Sequence, residues 1–162
     1  MHIQDEIETI YYTYSDDVYH YLLSMSRNPD IAEDILQNTF MKVMNGIATF
    51  KGNSSLKTWI FTIARNEYFH YLKKSKSTVP LDEGLQIKDN IYDNYENKEK
   101  VEEILNYIDK LEEPYRSLMV LRLVNDITFR EIAIILNKTE SWARVTFMRY
   151  KCKLVQDLKE EL

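Results

Sequence analysis

The sequence predicts an all-α protein made of two small helical domains joined by a flexible linker. Three observations carry this. Glycine and proline are scarce, three of each in 162 residues, in a chain rich in Leu, Ile, Lys, Glu and Tyr. No strand–turn–strand pattern built on Asn-Gly or Asp-Gly is present. Apolar residues recur at helical spacings on both sides of one polar, aperiodic stretch, SKSTVPLDEGLQIKDNIYDNYENK from Ser75 to Lys98. The boundaries are drawn at 1–76 for the first domain, 77–97 for the linker and 98–162 for the second domain. Each domain is small, so its isolated stability is modest.

The first domain reads as several amphipathic helices. Ile7, Ile10, Tyr11 and Tyr14 make a short first stripe. Val18, Tyr21, Leu22 and Met25 make a second, ending near Asn28-Pro29. A third helix starts around Asp30 with Ile31, Ile35, Phe40, Val43 and Ile47 among its apolar positions; Glu33, Asp34, Gln37 and Asn38 occupy its other face. A polar loop, KGNSS, follows Phe50. A fourth helix then turns Leu56, Trp59, Ile60, Ile63 and Ala64 inward, with Lys57, Arg65, Asn66, Lys73 and Lys74 as polar groups along it.

The second domain holds the most informative stretch, residues 128–154. Thr128 with Glu131 three places on forms a capping box. Ile132, Ala133 and Leu136 are the apolar stripe of a helix that Asn137 can end, because Asn tolerates the left-handed conformation. Thr139 can cap a further helix whose Ala143, Phe147, Tyr150 and Leu154 face inward. Arg144, Arg149, Lys151 and Lys153 are left on or near the exposed face. Such a pair can put the start of its second helix into the DNA major groove. An ordinary helical hairpin with a solvated basic face would show the same period.

Net charge is −5, which by itself argues against nucleic acid. Its distribution reverses that impression: −7 over residues 1–41, +6 over 42–79, −7 over 80–115 and +5 over 116–153. Two basic blocks point to two polyanion-facing surfaces. The single cysteine, Cys152, excludes an internal disulfide framework, fits a reducing cytoplasm and is read as a small packed side chain. The acidic N-terminus does not read as a signal peptide. No run of about 18 apolar residues reads as a membrane span. His2, His20 and His70 are scattered without metal-ligand spacing, and no nucleophile–base pair or phosphate-cradling glycine loop is visible. The expectation is a protein without enzymatic activity, cofactor or metal.

IAEDILQNTFMKV at 31–43, FKGNSSLKTWIFTIARNEYFHYL at 50–72 and the helix pair at 128–154 together resemble the successive blocks of an extracytoplasmic-function (ECF) RNA polymerase sigma factor. The resemblance covers nearly all of the chain outside the linker. It implies a sigma-two domain at 1–76 and a sigma-four domain at 98–162. It implies core RNA polymerase and promoter DNA as partners, and no small-molecule substrate. It further implies an anti-sigma factor, commonly a membrane-tethered one. Glu33, Asp34, Gln37 and Asn38 correspond to the surface that grips core polymerase, although the family more often has an acidic residue at Asn38. Asn53, Ser54, Ser55, Lys57, Phe61, Arg65 and Asn66 correspond to the element that reads and opens the −10 region. Opening needs small hydrogen-bonding groups for an unstacked base, cations for its backbone and aromatic rings for stacking; Phe61, Tyr68 and Phe69 are the candidate rings. Ser141, Arg144, Val145, Met148, Arg149 and Lys151 correspond to the −35 reader. Trp142, Val145 and Thr146 depart from the family's usual Thr, Ser and Arg; Val145 suits a thymine methyl, and Trp142 is either a prop for the turn or a DNA-facing group. Two other classes keep the same helices: a two-domain repressor or activator, and an interaction adaptor without promoter activity.

Overall fold

A computed structural model describes residues 3–75 and 98–160. The expected linker, 77–97, lies outside the described residues. The chain divides into two compact units, residues 1–87 and 88–162. Among the described residues there are α-helices and one short 3-10 turn, and no strand.

Unit 1 is built from α1 (Ile3–Ser26), α2 (Pro29–Gly46), the 3-10 turn Ile47–Thr49, and α3 (Leu56–Ser75), each helix packing on the other two. The two apolar stripes read as separate helices belong to the single helix α1. The step from Tyr14 to Val18 is four residues, so the second stripe continues the first in phase. The chain then reverses sharply. Arg27 takes a left-handed backbone (φ 55°) and its amide still bonds to the Leu23 carbonyl at 2.8 Å. Asn28 starts α2 by accepting from the amides of Asp30 and Ile31 at 3.0 and 3.3 Å, with Pro29 preset at the first helical position. Val18, Tyr21, Leu22, Ile35, Phe40, Val43, Ile60, Phe61 and Ala64 fill the core. Tyr68 reaches across from α3, and its buried hydroxyl donates to the Met25 carbonyl at 3.0 Å, satisfying one of the orphan acceptors at the end of α1.

Unit 2 consists of α4 (Lys98–Asp109), α5 (Tyr115–Leu123), α6 (Phe129–Leu136) and α7 (Glu140–Glu160). Helices α5, α6 and α7 pack around Leu118, Leu121, Ile132, Leu136, Ala143 and Phe147, and α4 covers α5 and α7 with Leu105 and Ile108. Burial raises the pKa of Tyr107 on α4, and the neighbouring Asp157 and Tyr150 of α7 raise it further. The turn between α6 and α7 follows the residues that predict it. Thr128 accepts from the Glu131 amide at 3.2 Å. Asn137 is left-handed at φ 56°, ψ 48°, and the following Lys138 amide returns to the Ala133 carbonyl at 2.8 Å. Thr139 accepts from the Trp142 amide at 3.0 Å and so caps α7.

Candidate nucleic-acid interface

Helix α7 separates its side chains cleanly. Ala143, Thr146, Phe147 and Leu154 are buried, while Ser141, Arg144, Val145, Met148, Arg149 and Lys151 are exposed. Val145 at 58% and Met148 at 49% are apolar groups exposed side by side on this face. At about 100° per residue, Ser141, Val145 and Met148 form the centre line of this face. Arg144 and, seven residues on, Lys151 lie along one edge; Arg149 lies along the other. Cys152 falls on the centre line and is exposed, contrary to the packed role expected for it. The period of α7 carries it outward with Val145 and Met148.

Contacts at the start of α7 fix this surface. Arg144 donates to Glu140 at 2.9 Å, and its guanidinium lies 5.1 Å from the Phe129 ring centroid at the start of α6. Arg122 of α5 lies over the same ring at 4.6 Å and donates to the Ile127 carbonyl at 3.1 Å. Phe129 in turn packs on Phe147, with centroids 5.5 Å apart. Trp142 is half-buried, 6.2 Å from Tyr115 of α5, with the Lys138 ammonium 5.4 Å from its ring. It props the turn against α5. Thr146 is buried and carries nothing to the outer face.

In unit 1 the loop before α3 is exposed at Lys51, Gly52, Asn53 and Ser55, with Ser54 half-buried. Gly52 is left-handed (φ 72°), the conformation that glycine adopts without penalty. Ser55 serves as a cap. Its hydroxyl accepts from the Thr58 amide at 3.1 Å and donates to the Thr58 hydroxyl at 2.8 Å. Lys57 and Arg65 are half-buried, Arg65 lying 4.7 Å over the Phe69 ring, and Asn66 is exposed.

Phe61 corrects an expectation. It is fully buried at 0%, edge-on to Tyr21 with centroids 5.8 Å apart, and is unavailable to stack on a base. Tyr68, seven residues on along the same side of α3, is buried too, and its hydroxyl reaches Met25 of α1. Of the three candidate rings only Phe69 reaches the surface. Trp59, expected inside, is half-buried and lies against Phe50 at 4.8 Å. A Cβ on Gly46 would stand 3.1 Å from its ring, so glycine is what lets α2 approach.

On α2, Glu33, Asp34, Gln37 and Asn38 are all exposed. The same face continues through Met41 at 61% and Met44 at 50%. Sequence reading missed these two methionines, although they follow Gln37 at four and seven residues. Lys42 is committed elsewhere, in an ion pair with the buried Glu67 of α3. Among the described residues no cluster of His, Cys, Asp and Glu is arranged to hold a metal ion, and no helix is long and apolar enough to cross a membrane.

The chain resembles known proteins along most of its length. Residues 10–78 match the Sigma-70 region 2 family. The chain is similar to the ECF RNA polymerase sigma factor SigM of Bacillus subtilis (strain 168), with 30% identity over 151 residues that cover 91% of this chain and 92% of SigM. It is similar to SigW of the same organism, with 31% identity covering 83% of this chain and 79% of SigW. Among solved structures, the sigma factor RpoE in complex with the anti-sigma factor NepR from Bartonella quintana has a TM-score of 0.76 at 22% identity, covering 95% of this chain and 97% of RpoE. CnrH, solved with the cytosolic domain of CnrY, has a TM-score of 0.74 at 15% identity, covering 98% and 91%. These two structural likenesses speak for the fold. Identity of 30% or more along most of two curated relatives goes further: the chain belongs to the ECF RNA polymerase sigma factors.

Proposed function

We propose that the chain binds core RNA polymerase through α2, opens the −10 region with the loop and helix around Asn53–Asn66, and reads the −35 element with the start of α7. The division of α7 carries this reading: in a chain of this family, Ser141, Arg144, Val145 and Met148 stand exposed on one helix beyond a capped turn, where a major-groove helix meets base edges, and Arg149 stands more than a turn after Arg144 on the opposite edge, where it meets a phosphate. Asn53, Ser54, Lys57, Arg65 and Asn66 supply hydrogen bonds and cations for a displaced strand; Ser55 supports them as a cap. Glu33, Asp34, Gln37 and Asn38, extended by Met41 and Met44, form the polymerase face. The chain has no catalysis of its own and acts in the cytoplasm, as a specificity subunit of the polymerase.

An anti-sigma factor completes the set of partners. The similar RpoE was captured with NepR, and CnrH with the cytosolic domain of CnrY. A membrane-tethered form of such a partner would hold the chain away from polymerase. Expression of the chain alone should then give more target transcription than co-expression with its neighbouring gene; equal levels exclude that gene.

The deciding experiment is reconstitution. Purified core polymerase with this chain should start transcription at sites that core alone ignores. A chain that binds DNA and shifts no start site would be a two-domain regulator; one that binds polymerase without directing starts would be an adaptor.

A further inference from the structure

Glu140 is the first residue of α7 and is exposed, beside Arg144 at the edge of a surface that must approach phosphates. A carboxylate there weakens binding to any DNA. Its pair with Arg144, at 2.9 Å between side chains 49% and 59% exposed, contributes little stability, as exposed pairs four apart generally do. The geometry supports another role. Arg144 stands about 100° round the helix from Val145, at the edge of the reading face. A free arginine in that place would sample many rotamers. Here the guanidinium is held from two sides, by Glu140 along the helix and by the Phe129 ring at 5.1 Å from the start of α6. Phe129 is itself held, by Phe147 below and Arg122 beside it. Glutamate N-terminal to its cation is the better order for such a pair. One Arg144 nitrogen is used in it, and a guanidinium has five N–H donors, so donors remain for the two acceptors of guanine.

We propose that Glu140 and Phe129 are positioning residues for −35 readout: they pre-set the Arg144 guanidinium, and Glu140 thereby lowers general DNA affinity while raising discrimination. Rigidity gained before binding is rotamer freedom not lost during it, and that gain accrues only to the sequence the fixed group fits. The inference rests on the reading of α7 as the −35 reader.

The test uses the holoenzyme, full chain on core polymerase, against duplexes with a randomised −35 element. For Glu140→Gln, binding to non-preferred sequences should tighten by about threefold, because a negative charge leaves the phosphate-facing surface. Discrimination should fall by about threefold to tenfold, and only at the base pair that Arg144→Ala also relaxes. Added to Arg144→Ala, Glu140→Gln should change discrimination no further. Phe129→Leu, which keeps an apolar group on Phe147, should weaken discrimination at the same pair without tightening general binding. Uniform tightening with unchanged discrimination would make Glu140 a plain surface charge and overturn the proposal. A loss at a different base pair that survives in the Arg144→Ala background would make Glu140 itself a base reader and overturn it too. A parent holoenzyme with no −35 preference would overturn the α7 reading, and this proposal with it; a parent that discriminates while Glu140→Gln discriminates equally removes this proposal alone.

Discussion

The two DNA-facing candidates are built on different principles. The −35 candidate lies on the regular helix α7, whose hydrophobic period dictates which side chains leave the core. The −10 candidate is split: Lys57, Arg65 and Asn66 lie on α3, but Asn53, Ser54 and Ser55 lie in the loop before it, where no period operates and hydroxyls have local work to do. Ser55 shows the difference: its type fits a base contact, and its bonds are those of a helix cap. On α7 the same kind of work, capping, falls to Thr139 before the helix begins, which leaves Ser141 exposed beyond it. A helix separates support from contact along its circumference. A loop must let single residues do both.

The largest test of that separation is Phe147→Ala. A buried aromatic cut to alanine costs about 3–5 kcal/mol, enough to unfold a unit as small as unit 2. Thermal melts followed by tryptophan fluorescence and by the helical circular dichroism should show unit 1 keeping its own transition. A single lost transition for both units would mean that they are not independent. Asp34→Lys comes next: core polymerase affinity should drop by more than about tenfold through charge reversal on an exposed helix face, with circular dichroism unchanged. Undiminished affinity would sink the α2 assignment.

Arg144→Ala should cost about 1–3 kcal/mol and relax one base pair of the −35 element. Binding titrations over variant duplexes will show whether the loss is sequence-selective. Ser55→Ala should lower the stability of unit 1 by about 1 kcal/mol, as loss of a cap does, whereas Asn53→Ala should leave its melting unchanged and slow −10 opening. If the two variants behaved alike in melting, the contrast between loop and helix would be wrong. The smallest effect belongs to Arg149→Ala: all sequences weaken together, and the slope of log affinity against log salt falls by about one.

Where the chain could be read from its residues, a local rule was operating. Thr128, Asn137 and Thr139 are capping types at the places where the backbone has to turn, and each does that work in the fold. Ala143 and Phe147 are buried and Val145 and Met148 are exposed, as a spacing of 3.6 requires. Legibility failed where the deciding contact came from another helix. Phe61 carries no mark in the sequence that separates a ring meant for Tyr21 from one meant for a base. Trp59 is as apolar as its neighbours, yet it lies against Phe50 and Gly46 at the edge of unit 1. Met41 and Met44 follow Gln37 at four and seven residues on the exposed face of α2, but an apolar side chain carries no mark of its own that it faces outward. The split of α1 into two stripes came from counting each stripe alone, when the four-residue step from Tyr14 to Val18 joined them.

The left-handed turn at Asn137 sets where α7 begins, and the helix beyond it is clamped. Ala143, Phe147 and Leu154 are buried, and α4, α5 and α6 all pack on it. At about 1.5 Å per residue, Leu154 stands roughly 20 Å beyond Glu140, so the helix is held from its first turn to its last third. Ser141, Arg144, Val145 and Met148 are therefore marks on a stiff ruler: what they meet has to come to them at fixed intervals.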